Sequence, residues 1–187
     1  MIFKQTAIEG AYLIEIERRE DQRGFFARAW CKSEFEAHGL NADFVQSNLV
    51  ATRGKGTLRG LHYQIAPFEE AKLVRCARGA IFDVIIDLRP DSPTYGRWSG
   101  VELKAETYRM IYVPEGCGHG YQALSDDVEV FYQVSQVHTP EAEQGVRYDD
   151  PVFAIEWPLE PVALSGKDRA WPKYVVVASE LRAAKRL

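Results

Sequence analysis

Apolar residues recur at every second position in AYLIEIERR (11–19), KLVRC (72–76), AIFDVIIDL (80–88), RMIYVPE (109–115) and VEVFYQVSQV (128–137). β-Branched and aromatic side chains dominate these runs, and Gly, Pro or Asp sits near their ends. A period of two is the signature of a strand with one buried face, whereas an amphipathic helix needs a period near 3.6. Connections such as RPDSPTYG and VPEGCG are turn-like and short, so the strands form a sandwich or barrel rather than an alternating parallel α/β sheet. The expected fold class is all-β with a few short helices. One helix is expected in CKSEFEAHGL (31–40), with Ser33 as N-cap, Glu36 completing a capping box and Gly39 ending it. The SELRAAKRL tail (179–187) is a second helix candidate. With 187 residues and no internal repeat or linker, residues 1–187 read as one domain with 176–187 as a C-terminal tail.

Charge narrows the partners. The net charge of -4, with basic and acidic residues interleaved, lacks the concentrated basic patch that a nucleic-acid or membrane surface requires. No nucleic acid and no membrane partner are therefore expected, and a small-molecule substrate is. The opening MIFKQTAIEGAYLIEIERRED has no apolar leader core or small-residue cleavage site, and no segment is long and apolar enough to span a bilayer. Cys31, Cys76 and Cys117 are odd in number and without a CxxC spacing. Reduced thiols and a cytoplasmic location are expected.

Within this pattern TLRGLHYQ (57–64) is anomalous, because it places Arg59 and His62 three positions apart in a run otherwise suited to a core. In a regular strand Arg59 and His62 point to opposite faces. Gly60 lies between them, and a glycine inside a strand often marks a bulge that would bring both to one side.

A second polar stretch, VPEGCGHGY (113–121), contains Pro-x-Gly-x-x-His ending at His119. It resembles the second motif of the cupin superfamily, which implies a jelly-roll barrel, the double-stranded β-helix. In metal-binding cupins the first motif carries His-x-His, but here the matching stretch is HYQ and Gln64 stands in for the second His. His62 and His119 alone fall short of the three or four ligands a transition metal needs, so no metal is expected.

The motifs DQRGFFARAW, VQSNL, GTLRGLHYQ, EEAKLVRC, VEVFYQ, RYDDPVFAIEWP and LSGKDRAWP follow one another through residues 1–175. In this order the chain resembles the dTDP-4-dehydrorhamnose 3,5-epimerases. The resemblance implies a cofactor-free reaction in which a proton is removed beside the C4 ketone of a nucleotide sugar and returned from the opposite face. It assigns the base to His62, the carboxylate partner of that base to Asp168, the proton donor to Tyr132 and enolate stabilisation to Lys72. Such an assignment fits the chemistry, since neutral imidazole accepts a proton near physiological pH and a carboxylate fixes its tautomer. Arg59, whose planar fork suits a diphosphate, joins Arg23, Gln46, Asn48 and His119 as implied substrate contacts. Arg23 would come from the N-terminal strands of a partner subunit, so a homodimer with exchanged N-terminal strands is the implied assembly. On the residues alone, Tyr132 also suits a barrel rim, Lys72 a solvated edge, Asp168 a turn and His119 a hydrogen-bonded core position.

Two positions depart from the family pattern. Arg28 stands where the family carries a Glu that contacts thymine, and Val137 and His138 replace paired tyrosines, one of which stacks on the base. Both changes fall on base recognition, which leaves a CDP- or GDP-linked sugar, or inversion at one carbon, as alternatives within the same mechanism. Cys117 and Gly118, where bulkier apolar residues are common, are expected to enlarge the sugar pocket. From another class, a non-catalytic or metal-dependent cupin remains the alternative.

Overall fold

The computed structural model describes residues 1–175. Its strands are β1 (Ile2–Gln5), β2 (Tyr12–Glu15), β3 (Arg19–Asp21), β4 (Gly24–Phe26), β5 (Gln46–Thr52), β6 (Leu58–Gln64), β7 (Lys72–Arg78), β8 (Ala80–Asp87), β9 (Trp98–Lys104), β10 (Met110–Val113), β11 (Cys117–Ala123), β12 (Val128–Val134) and β13 (Glu143–Gly145). The helices are α1 (Lys32–Glu36) and α2 (Gly166–Ala170), with two single 3-10 turns. The tail helix expected at 179–187 lies outside the described residues.

A six-stranded sheet in the order β1-β2-β10-β7-β12-β5 faces a five-stranded sheet in the order β13-β6-β11-β8-β9. Neighbouring strands are antiparallel throughout both sheets. The all-β jelly-roll barrel expected from the periodicity and the cupin motif is the architecture observed. Every strand expected from the alternating runs is present.

Alternation decides what fills the barrel. One cluster between the sheets joins Val74, Cys76, Ile111, Val113, Val128 and Val130 to Ile81, Ile85, Leu103, Cys117 and Ala123. A second cluster covers the outside of the larger sheet, where Phe35 of α1 packs with Ile14, Leu73, Met110 and Tyr112. On the outside of the smaller sheet Leu61, Val84, Ile86, Val146 and Phe153 pack with Trp157 and Tyr174 from the C-terminal segment. Apolar side chains thus close one end of the barrel, and the polar positions of the same strands collect at the other.

The N-terminus of α1 differs from expectation. Its N-cap is Cys31 and makes no side-chain capping bond, so Ser33 and Glu36 lie inside the helix and form no capping box. The burial of Phe35, which is fully enclosed, sets where this short turn forms. Gly39, with φ +71, does end it, in the left-handed region that glycine enters without steric cost.

The break expected near Gly60 is present. His62 pairs with His119 and Arg59 with Tyr121, so three steps along β6 face two along β11, with a register shift between them. The cause is close backbone contact. A Cβ on Gly60 would lie 2.5 Å from Gly120 Cα, and one on Gly120 would lie 2.5 Å from the Arg59 carbonyl oxygen. Two facing glycines let the strands approach this closely, and the extra residue turns Arg59 and His62 to the same side.

Candidate active site

The open end of the barrel holds a cavity of about 440 Å³. Strands from both sheets line it. Arg59, His62 and Gln64 come from β6 and His119 and Tyr121 from β11, while Gln46, Asn48, Lys72 and Tyr132 come from the opposite sheet.

His62 Nε2 lies 2.6 Å from Asp168 Oδ1. Asp168 is buried on α2, and its backbone N–H is capped by the Ser165 hydroxyl at 3.0 Å. Burial by itself would raise this carboxyl, but the hydrogen bond and charge of His62, with further bonds from Ser165 and Gly60, hold it below the usual carboxylate range. An ionised carboxylate only accepts, so Nε2 carries the hydrogen and Nδ1 is left to receive a proton. The edge of Trp171 packs on the His62 ring with centroids 6.3 Å apart.

A second pair stands beside the first. His119 Nε2 sits 3.0 Å from Oδ2 and 3.1 Å from Oδ1 of Asp83, which is fully buried on β8. His62 and His119 are therefore each tied to a carboxylate. Gln64 is occupied too, donating to the Phe68 carbonyl at 2.9 Å and accepting from the Thr139 N–H at 2.6 Å. Among the described residues no group of three His, Cys, Asp or Glu is placed to hold a metal ion.

Lys72 is almost wholly buried and its ammonium lies 3.0 Å from Glu70 Oε1 and 3.3 Å from the His62 carbonyl oxygen. Tyr132 stands opposite Asn48 and Val74 in the larger sheet. Its phenol is pushed up first by burial and then by the carboxylates of Glu70 and Glu143, against a smaller opposing effect of Arg59. The hydroxyl therefore keeps its proton. Arg59 donates from Nε to Thr52 Oγ1 at 2.9 Å and from Nη2 to the Ala51 carbonyl at 3.3 Å, which aims an otherwise open guanidinium along the mouth. Gln46 and Asn48 bond to each other at 3.3 Å, and Gln46 accepts the His138 N–H at 3.3 Å.

Of the residues singled out from sequence, His62, Lys72, Tyr132, Asp168, Gln46, Asn48, Arg59, His119 and His138 line this one cavity. Arg23 and Arg28 do not. They belong to the segment of the β3–β4 hairpin, where Arg23 is exposed and paired with Asp21 at 2.6 Å and Arg28 pairs with Glu34 at 3.1 Å. Arg28 lines a separate cleft with Met1, Arg18, Arg19 and Phe26, so neither arginine reaches the cavity of its own chain. Cys117 and Gly118 also fall outside the cavity lining. Cys117 is packed in the apolar core, where burial pushes its thiol up to about 12, and Gly118 faces Leu88. β11 pairs β8 without a break, so Cys117 shares the inner face with His119 and Tyr121 but lies among the apolar core residues, while Gly118 points to the opposite face.

Three lining residues, Glu70, Glu143 and Lys167, went unrecognised in the sequence, as did Asp83, which lies buried behind His119. Asp83 had a signal, since it interrupts the apolar side of AIFDVIIDL, and Lys167 immediately precedes Asp168. Glu143 had none. It lies 2.5 Å from Lys167 and 3.7 Å from His138, joining segments remote in the chain.

An enclosed imidazole–carboxylate pair, a buried ammonium and a protonated phenol around one polar cavity suit proton abstraction beside a carbonyl. Comparison with known proteins agrees with this chemistry. The sequence family described as dTDP-4-dehydrorhamnose 3,5-epimerase matches residues 5–175. A dTDP-4-dehydrorhamnose 3,5-epimerase of Methanothermobacter thermautotrophicus is 44% identical over 172 residues, covering 90% of this chain and 92% of the relative. A dTDP-4-dehydrorhamnose 3-epimerase of Streptomyces niveus is 41% identical over 170 residues, covering 90% and 82%. Among solved structures, the dTDP-6-deoxy-D-glucose-3,5-epimerase of Legionella pneumophila Philadelphia 1 in complex with dTDP-4-keto-L-rhamnose superposes with a TM-score of 0.84. It is 40% identical, and the match covers 91% of this chain and 90% of that one. Agreement of this extent in sequence and backbone establishes that the chain belongs to the dTDP-4-dehydrorhamnose 3,5-epimerase family.

Proposed function

We propose that this enzyme inverts C3 and C5 of dTDP-4-dehydro-6-deoxy-D-glucose, giving dTDP-4-dehydro-L-rhamnose, without a cofactor. The observation that carries the reading is the placement of His62 and Tyr132 on opposite sheets but around one cavity. His62 Nδ1 takes the proton from the carbon beside the ketone, and the C–H electrons move into an enolate whose oxygen lies against the Lys72 ammonium. Asp168 stabilises the imidazolium so formed. Tyr132 then gives its phenol proton to the other face of the same carbon, which inverts it. Solvent carries a proton back from imidazolium to phenolate, and the cycle is repeated at the second carbon. Arg59 grips the diphosphate, and Gln46, Asn48, His119 and His138 orient the rest of the nucleotide sugar.

The chain acts as one cupin domain in a homodimer. Three features support the assembly: Phe26 is 67% exposed on the β3–β4 hairpin, Leu49 is 65% exposed, and Leu49 lies on β5, an edge strand of the larger sheet. A second copy would bury these residues and bring its Arg23 and Arg28 to the cavity mouth. Light scattering on the purified protein checks this, and a monomer refutes it. All three cysteines are free, which supports a cytoplasmic location; among the described residues no helix is long and apolar enough to cross a membrane.

Incubation with the substrate in heavy water tests the reaction. Deuterium should enter C3 and C5, and His62→Ala should abolish both labels. The Streptomyces niveus relative, named as a 3-epimerase, keeps inversion at C3 alone as the second reading. Label at one carbon would establish that reading, and no label with any 4-keto nucleotide sugar would remove both.

A further inference from the structure

Among the described residues Glu70 is the carboxylate that pairs with the Lys72 ammonium, and nothing in the proposed reaction has yet used it. It lies two residues before Lys72, just ahead of β7, and both side chains line the cavity. The residue between them is held rigidly, with the Ala71 N–H bonded to Ser135 Oγ at 2.8 Å and the Ala71 carbonyl accepting from the Ser135 N–H at 3.0 Å. Glu70 and Lys72 side chains are 12% and 8% exposed, and their charged atoms are 3.0 Å apart. A buried ammonium has three donors. One is directed to Glu70 Oε1 and one to the His62 carbonyl oxygen, which leaves a single N–H to face the cavity.

We propose that Glu70 is a positioning residue for this reaction, orienting the Lys72 ammonium so that its remaining N–H points at the place where the enolate oxygen develops. The inference rests on the epimerase reading above. Without Glu70 the ammonium can rotate about its bond to the His62 carbonyl, and stabilisation of the enolate loses its preorganisation. Stabilisation is then lost in the transition state rather than in substrate binding, so kcat falls and KM does not.

Glu70 and Tyr132 also line the same cavity. The charged and titratable groups around that phenol are Glu70 before β7, Glu143 on β13, Arg59 on β6, Tyr121 on β11 and Lys72 on β7 itself, with the His62–Asp168 and His119–Asp83 pairs in the same cavity. Of the carboxylates, Glu70 does most to keep the phenol protonated. Neutralising it should let the phenol ionise at lower pH, so activity should decline earlier on the alkaline side.

Wild type, Glu70→Ala and Glu70→Gln are assayed side by side with dTDP-4-dehydro-6-deoxy-D-glucose across pH, after circular dichroism has confirmed folding. Glu70→Ala should lower kcat about tenfold with KM within about twofold, less than the ~10²–10³ expected for losing an oxyanion donor itself. Glu70→Gln is isosteric and keeps an acceptor oxygen, so it should recover part of that kcat while its alkaline limb moves to lower pH. It also serves as the folded variant if the alanine form is unstable. An alanine variant with wild-type kcat, or a glutamine variant whose pH profile superposes on wild type, overturns the proposal. An inactive wild type instead removes the epimerase reading on which the proposal stands, and the parallel assay separates the two failures.

Discussion

Replacing Gly60 by alanine strikes the feature on which the site depends. The added Cβ would lie 2.5 Å from Gly120 Cα and 2.9 Å from the His119 carbonyl oxygen, both backbone atoms of the neighbouring strand. Neither can rotate away as a flexible side chain would. Gly60 also has φ +121, a region that L side chains rarely adopt. Holding a non-glycine residue there costs about 1–3 kcal/mol. Prying two paired strands apart to relieve the clash costs a further ~1–3 kcal/mol, as for an overpacked core. A total of roughly 2–6 kcal/mol corresponds to a fall in Tm of about 5–20 °C for a chain of this length. Gly24→Ala separates the two contributions, because Gly24 has φ +124 but nothing within 4 Å of its added Cβ. It should show the dihedral cost alone. Thermal denaturation of both variants, with kcat measured well below Tm, is the assay. Gly60→Ala should lose more activity than Gly24→Ala even where both are folded, because straightening β6 turns either Arg59 or His62 out of the cavity. A Gly60→Ala protein with wild-type Tm and kcat would refute the account of the bulge.

Asp168→Asn should keep the fold but lower kcat by on the order of 10²–10⁴, since an amide can stabilise neither the tautomer nor the imidazolium of His62. The folded-state carboxyl of Asp168 is held below its ordinary value, so its stabilising contribution is present above the unfolded carboxyl pKa and is lost as the pH falls through the folded one. Urea midpoints of wild type should therefore drop on acidification more steeply than those of Asp168→Asn, and parallel curves would refute the linkage. Arg59→Ala should weaken dTDP binding by about 1.5–3 kcal/mol in titration calorimetry, through loss of a charge-assisted contact; unchanged affinity would remove Arg59 from the diphosphate site. Iodoacetamide should label Cys31 first, because its thiol is partly exposed and lowered by the Ser33 hydroxyl, the Glu34 N–H and Arg28, whereas burial pushes Cys76 to about 11 and Cys117 to about 12. Peptide mapping that found Cys76 or Cys117 alkylated first in the native protein would contradict this.

The strands were legible because burial of one face imposes a two-residue rhythm that needs no knowledge of partners. VEVFYQ and AIFDVIID announce themselves as strands whatever lies beside them. The groups of the site were legible for a different reason: Arg59 and His62 are polar residues in a run that otherwise belongs to a core, while Lys72, His119, Tyr132 and Asp168 were singled out by the order of motifs. The capping of α1 was misread because SEFE satisfies a local capping pattern, while the burial of Phe35 places the helix start two residues earlier. Enlargement of the pocket by Cys117 failed because residues 117, 119 and 121 share the inner face of β11, and how far along that face the cavity reaches is set by what packs against it from the rest of the chain.

Periodicity alone thus narrowed the fold to a β sandwich or barrel, and the resemblance carried by the order of motifs supplied a base, an acid, an ammonium and a guanidinium. Which of them meet was left to the packed molecule. Sequence spacing says which side of its own strand a residue takes, but the partners 106 and 36 positions away that pair His62 with Asp168 and His119 with Asp83 follow from sheet order and the seating of α2. The same holds for the two glycines whose contact between β6 and β11 lets Arg59 and His62 share a face. Long-range register is a property of the whole folded chain, because each strand's position is set by the strands and segments packed against it.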